Sequence, residues 1–349
     1  MEETGRRDLR RRLDQLSHNP GCVANVRASL GGVAMVAVAQ SLGLDAQEGQ
    51  SPFAITRGIS FEKSLFDEDA ARLRLALVDK GVLPADTAGF VDLRPKINGG
   101  PLDDLDASRE AFLALLRGFA HAVGSARLRL PGIIAGPTLR LGGGVLPEGR
   151  LALDVVTVHP APEPHPVVLR VGEMKVYPDR GGYTDPSELA SARAQAGLYL
   201  YALRREITAA GLDGALAVAD DGFLVLTRPT YNLPSVRAHE DLRYQAERAA
   251  VLLAQAEALA PRVAEAPSDP AQAVRWVAEA PRNYGSRCME FCPMAPRCHR
   301  EALAAQVPAA LGDDLAQRLG EVSLDRAAAL LRGDSPVTEA ERALAARLP

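Results

Sequence analysis

The chain has 349 residues, 47% hydrophobic and 24% charged, with a formal net charge of −4. This balance excludes fibrous and disordered classes and leaves ample core for one large domain, alone or with an appendage. It gives no global support to nucleic-acid binding, although a basic channel is compatible with an acidic exterior.

In chain order, the first 125 residues read as mostly helical: an Arg-rich opening segment, a helix from about Val23 to Leu42, another from Ser60 to Lys80 and a third from Leu105 to Val123. The opening GRRDLRRR has a faint likeness to a twin-arginine signal. The apolar stretch begins too late and follows Arg27, so export is not expected. That stretch, ASLGGVAMVAVAQSLGL from Ala28 to Leu44, is uncharged but broken by Gly31, Gly32, Gln40 and Ser41. A buried helix in a cytoplasmic protein is expected there, with no membrane partner. His121, in RGFAHAVG, falls mid-helix among apolar residues and reads as a satisfied core histidine.

Strand composition follows in PTLRLGG, RLALDVVTVHP and HPVVLRVGEMKVYP. A long Ala-rich helix from about Pro186 to Ala210 comes next, then ALAVA and FLVLTRP as short strands, with helices again from Val236 onwards. LGDDLAQRL, SLDRAAALL and TEAERALAARL close the chain as three short capped helices, set off by Pro308 and Gly333-Asp-Ser-Pro. No internal repeat is evident.

Chemistry concentrates in the strands. HPAPEPHP, residues 159 to 166, has Pro at every second position and reads as the turn of a hairpin. Folding about the Glu163–Pro164 bond pairs Asp154 with Glu173, and Glu173 and Lys175 project to one face while Met174 projects to the other. Asp, Glu and Lys on one face suit Mg²⁺ or Mn²⁺ and phosphoryl chemistry, with Lys175 stabilising charge in the transition state. The plain alternative is an ion pair on a solvated strand. Against it, these charges sit in apolar strands, and Lys175 is one of only four lysines beside 36 arginines, the others being Lys63, Lys80 and Lys96.

Four cysteines are too sparse for a secreted disulfide scaffold. Cys288, Cys292 and Cys298 are spaced like metal ligands in RNYGSRCMEFCPMAPRCHREAL, and Cys22 remains as a fourth, 266 positions upstream of Cys288. A site built from all four would tie the ends of the chain together around the middle. Four inert core thiols are the alternative. His299, next to Cys298, reads as a bystander.

An Asp on one strand, Glu-x-Lys on the next, and a helix with Gln195 and Tyr199 four apart resemble the PD-(D/E)xK nuclease superfamily in its RecB-like branch. RGISFEKSLF resembles that branch's first motif, with Gly58 and Glu62 in its Gly and His-or-Glu places. One early and three late cysteines around the core are similar to the iron–sulfur members, among them CRISPR-adaptation exonucleases and the AddB helicase-nuclease subunit. Two departures are visible. The late spacing is Cys-x3-Cys-x5-Cys where that family has Cys-x2-Cys-x5-Cys, which leaves zinc open beside a cluster, and Leu153 stands where a Pro usually precedes the first acidic motif.

The resemblance implies an α/β, restriction-endonuclease-like mixed-sheet core flanked by helices, with helical arms joined by a [4Fe–4S] cluster on Cys22, Cys288, Cys292 and Cys298. Expected boundaries are 1–57 for the N-terminal arm, 58–235 for the nuclease core with a helical insertion, 236–304 for the C-terminal arm and 305–349 for a helical appendage. It further implies Glu62 and the Met174 carbonyl as added ligands for Mg²⁺ or Mn²⁺. Gln195 and Tyr199 are expected to bind substrate or orient the site. The expected activity is metal-dependent hydrolysis of DNA, as an exonuclease on single strands or ends, with other nucleic-acid-processing proteins as potential partners. The alternative is a catalytically idle binding or assembly module that keeps the fold.

Overall fold

The computed structural model describes residues 9–46, 52–87, 89–122, 130–141, 149–160, 167–229, 233–263, 265–285, 288–306, 308 and 313–348. Helices α1 (Leu9–His18), α2 (Val23–Gly31) and α3 (Met35–Ser41) open the chain. The single helix expected from Val23 to Leu42 is therefore two, bent by 119°. Gly32 sits left-handed at φ 70° and its N–H caps Ala28 O, which stops the first helix there. Ala28, Met35, Val38 and Ala39 bury against Val277 and Ala280, far along the sequence.

Helix α4 (Pro52–Asp79) starts earlier than expected and is broken inside, where Asp67 is extended and Glu68, Asp69 and Ala70 are left-handed. The break lets Phe61, Leu65 and Phe66 before it and Leu73 and Leu77 after it reach one apolar cluster. Helix α5 (Leu105–Ala122) matches its expected start. His121 is a correction: it is exposed at the end of α5, with Nδ1 2.7 Å from Arg117 O, and is not a core residue.

Two strands had no counterpart in the sequence reading, β1 (Phe90–Asp92) and β2 (Ile133–Ala135), which pair in parallel. Runs of three residues are too short to express a period. RLALDVVTVHP, expected as one strand, divides at Leu153 and Asp154. Its first part, β4 (Gly149–Ala152), joins β3 (Thr138–Leu141) in a small separate sheet, and its second, β5 (Val155–Pro160), enters the main sheet.

Strand β6 (Val167–Pro178) pairs antiparallel with β5 from Val155↔Gly172 to Pro160↔Val167, the register that folding about Glu163–Pro164 requires. The turn itself, at 161–166, lies outside the described residues. Helix α6 (Pro186–Ala209) begins at Asp185, whose carboxylate accepts the Ser187 and Glu188 N–H groups. Strands β7 (Leu216–Val218), β8 (Asp221–Thr227) and β9 (Pro234–Asp241) follow. The last corrects the expectation of helix from Val236: Val236 and Ala238 pack on the sheet core at the strand period, and β9 closes the sheet against β8.

The result is an α/β chain with a mixed seven-stranded sheet, in the order β1-β2-β5-β6-β8-β9 with β7 also on β6. On one face Val167, Leu169 and Val171 of β6 pack under Ala192, Ala196 and Tyr199 of α6, and on the other Met174 packs with Phe61 and Leu65 of α4. Helix α7 (Arg243–Leu259) lies against α6 at Gly197, where a Cβ would stand 2.2 Å from Gln245 Cβ. Only glycine permits that approach.

Helices α8 (Pro270–Ala278), α9 (Cys288–Phe291) and α10 (Ala295–Ala305) bring the chain back to its N-terminal arm. Helices α11 (Asp313–Leu319), α12 (Leu324–Leu331) and α13 (Glu339–Ala345) then form the appendage around their own small cluster of Val322, Ala327, Leu330 and Leu344. Ser323 caps α12, and Thr338 with Glu341 makes a capping box on α13. Among the described residues no single helix is long and apolar enough to cross a membrane.

Candidate functional site

Asp154 stands at the break between β4 and β5, one residue before the pairing with Gly172, so the register carried on by one step sets it opposite Glu173. Its Oδ2 accepts the Met174 N–H at 2.6 Å. The Met174 amide is thus committed to Asp154. Glu173 is completely buried, and Lys175, two residues on and 20% exposed, is ion-paired to its Oε1. A carboxylate that deep is tolerated only beside a compensating cation.

Glu62 reaches the same place from α4. Burial and then the Asp154 charge push its carboxyl from 4.5 up to about 7, while Arg94 and Lys175 pull the other way. Asp92 adds a further upward push, and Arg94 stands 3.9 Å from Glu62 Oε1. Arg94 in turn grips Asp92 with Nε at 3.0 Å and Nη2 at 2.8 Å. The fold therefore gathers Glu62 of α4, Asp92 and Arg94 at the end of β1, Asp154 just before β5, and Glu173 and Lys175 within β6.

Asp92 and Arg94 were missed in the sequence. Their signal was present, because VDLRP places an acid and a base two apart in an apolar strand as VGEMKV does, but β1 is too short to register as a strand. Among the described residues no three His, Cys, Asp or Glu side chains already stand as a closed set of metal donors. Asp154 is engaged by an amide and Glu173 by an ammonium, so a divalent cation would have to displace protein donors to bind them.

Gln195 and Tyr199 lie one turn apart on α6, above the face that carries Val167, Leu169 and Val171. Both are buried, and Gln195 Nε2 donates to the Tyr199 hydroxyl. Gln195 Oε1 is buried and accepts no hydrogen bond among the described residues.

The four cysteines converge. Cys22 precedes α2 as its N-cap, Cys288 and Cys292 bracket α9, and Cys298 lies in α10. Burial, against the lowering effect of the Met294 amide and with smaller upward pushes from Cys288, Cys298 and Cys22, raises the Cys292 thiol to about 12. Burial likewise raises Cys298 to about 11, with Cys22 and Cys288 among the contributors and Arg282 opposing. Sulfur is also met by donors: Asn19 Nδ2 at 3.4 Å and Gly285 N at 3.2 Å both point at Cys288 Sγ. Cys22, Cys292 and Cys298 share one apolar cluster, and thiols are the donor type that a zinc ion or an iron–sulfur cluster takes, but among the described residues they do not already stand as a donor set.

The ends of the chain meet around this centre through ordinary contacts too. Asn19 Nδ2 donates to Asn283 O at 2.7 Å, Ala24 N to Pro281 O at 3.1 Å and Arg27 Nη1 to Trp276 O at 2.8 Å. The His18 ring stacks on Phe291 at 4.5 Å. His299 faces Tyr284 at 6.2 Å, turned to that ring.

No protein-family model, curated protein or solved structure matches this chain. The function must therefore be argued from the residues that the fold gathers.

Proposed function

We propose that the protein is a divalent-metal-dependent nuclease that hydrolyses phosphodiester bonds of DNA, with single strands or ends as substrate, on a core of restriction-endonuclease and RecB-like type. The observation that carries the reading is the meeting of Glu62, Asp154, Glu173 and Lys175 from three separated segments, α4, the residue before β5 and the middle of β6. A salt bridge for stability alone would not need acids crowded until one is held at about 7.

Asp154, Glu173 and Glu62 would hold Mg²⁺ or Mn²⁺, which supplies a Lewis acid for the phosphoryl oxygen. Lys175 offers a compact ammonium where charge builds on the phosphate. Burial of Glu173 keeps water out and strengthens each charge around it. Gln195, with its amide oxygen uncommitted, and Tyr199 cover the face of β6 that carries Val167, Leu169 and Val171, which Glu173 shares by strand alternation, and are suited to orient the site. Cys22, Cys288, Cys292 and Cys298 would hold a [4Fe–4S] cluster as a staple between the arms.

The test is cleavage of end-labelled single-stranded DNA with Mg²⁺ or Mn²⁺. Asp154→Ala and Glu173→Ala should each abolish cleavage while circular dichroism remains native, and the double variant should be no worse, because members of one catalytic unit are not additive. Metal-dependent cleavage surviving in either single variant would sink the assignment. A wild-type chain that binds strands yet cleaves none with either metal would leave the idle binding module instead.

A further inference from the structure

The chain leaves β6 three residues after Lys175 and enters α6, which carries Gln195 and Tyr199, through the turn DRGGYTD at 179–185. This turn is pinned throughout. Asp179, 6% exposed, receives the Gly182 N–H at 2.9 Å on Oδ1 and the Ser235 hydroxyl on Oδ2, while its own N–H donates to Thr227 O at 2.8 Å. Arg237 Nη1 donates to Gly182 O at 3.0 Å. Arg180 N donates to Tyr183 O at 2.8 Å across an antiparallel bridge, and Gly181 and Gly182, at φ 67° and 94°, close the reversal as only glycine readily can.

At the tip of this anchored backbone, Tyr183 is 60% exposed. Arg180 is exposed as well, and the bridge sets the two side chains on the same side of the turn. Neither side chain has a hydrogen bond, ion pair or ring contact among the described residues. Elsewhere the exposed arginine–tyrosine pair Arg205 and Tyr201 is committed to itself, with Nη1 on the hydroxyl at 3.0 Å. A rigid loop that holds an aromatic ring and a guanidinium outwards, uncommitted, is preorganised for a planar anionic partner. Lys175 lies five residues before Arg180, on the strand that leads into this turn.

We propose that Tyr183 is a nucleobase-stacking subsite: its ring stacks on a base of the strand whose phosphodiester lies at the carboxylates, and Arg180 contacts the adjoining phosphate. The inference rests on the nuclease reading for its substrate. Tyr183 is then a positioning residue. Stacking tolerates any base, since every base has a π-face, whereas the arginine contact is a salt-dependent anchor on the backbone.

The experiment measures equilibrium binding of a fluorescein-labelled oligodeoxythymidylate in EDTA, and separately the KM and kcat for its cleavage with Mn²⁺. Tyr183→Ala should weaken binding and raise KM by about tenfold, with kcat little altered, and Tyr183→Phe should bind like wild type. An abasic oligomer of the same length should bind the Ala variant and wild type alike, because no base is left to stack. Arg180→Ala should lower the slope of log affinity against log salt by about one phosphate. Wild-type binding by Tyr183→Ala, a tenfold loss in Tyr183→Phe, or an equal loss on the abasic oligomer would each overturn the subsite. Cleavage with unaltered Tyr183→Ala binding would remove the subsite and leave the nuclease. Base-dependent binding without any cleavage would do the reverse.

Discussion

Glu173 and Lys175 show what is at stake in single side chains here. Removing the ammonium in Lys175→Ala leaves a fully buried carboxylate without that partner. The expected cost is about 3 kcal/mol, the lower end for a broken buried pair because Lys175 is itself 20% exposed. Lys175→Arg is therefore the more informative change. It keeps the charge and should melt near wild type, yet turn over poorly, because a planar guanidinium cannot replace a compact ammonium beside the attacked phosphate. Melting temperature and single-turnover rate separate the two effects, and a wild-type rate in Lys175→Arg would rule out the ammonium role.

Glu62 gives a pH signature independent of cleavage. Its carboxyl is raised from 4.5 to about 7, first by burial and then by Asp154, so the fold favours the protonated form. Stability from this residue is present below its unfolded value and declines as pH climbs through about 7. In EDTA, Glu62→Gln should melt with wild type at about pH 4, where the carboxyl is protonated both folded and unfolded, and above it at about pH 8. Identical melting of the two proteins at both pH values would show that Glu62 is not in this environment.

At the scale of elements, the appendage offers a separate titration. Arg326, followed by the Val337 and Thr338 amides, holds the Glu341 carboxyl down to about 2 and ties α12 to α13. A depressed carboxyl contributes stability that is present above its ordinary value near 4.5 and lost as pH falls towards 2. Protection of the Val337 and Thr338 amides, corrected for the intrinsic slowing of exchange in acid, should therefore fall before that of the main sheet, and Glu341→Gln should show the low protection already at neutral pH. Slow exchange in that variant would mean the capping box does not hold the pair together.

The same scale explains which elements were legible. The β5–β6 register followed from counting residues about a proline-rich turn, since pairing across a tight hairpin is local. Strand β9 was read as helix because PSVRAHED carries too little apolar periodicity to declare itself. Its pairing with β8, a distant partner in energy if not in sequence, decides its form.

For the whole molecule, the joining of the two ends is the property with the widest consequence. Cys22 and Cys292 belong to one cluster joining the two ends, and under the four-sulfur proposal Cys22→Ser should lower melting temperature and soluble yield about as much as Cys292→Ser, despite their separation. Anaerobically purified protein should carry iron and acid-labile sulfide near four each per chain. Stoichiometric zinc without sulfide would replace the cluster with a zinc site, and a mild Cys22→Ser would break the four-sulfur assignment.

Sequence alone determined what short-range physics writes into consecutive residues. This covers the caps on α12 and α13, the β5–β6 hairpin register that brings Asp154 beside β6, and the cysteine spacing. Tertiary structure decided what depends on partners far along the chain. Arg94 and Asp92 joined the carboxylates because β1 lies parallel to β2, and α4 is broken at Asp67 to Ala70 so that both its halves reach one core. Glu62 acquired its raised carboxyl only beside Asp154. Burial and electrostatic crowding are sums over neighbours brought together by the fold, and no window along the chain contains those neighbours.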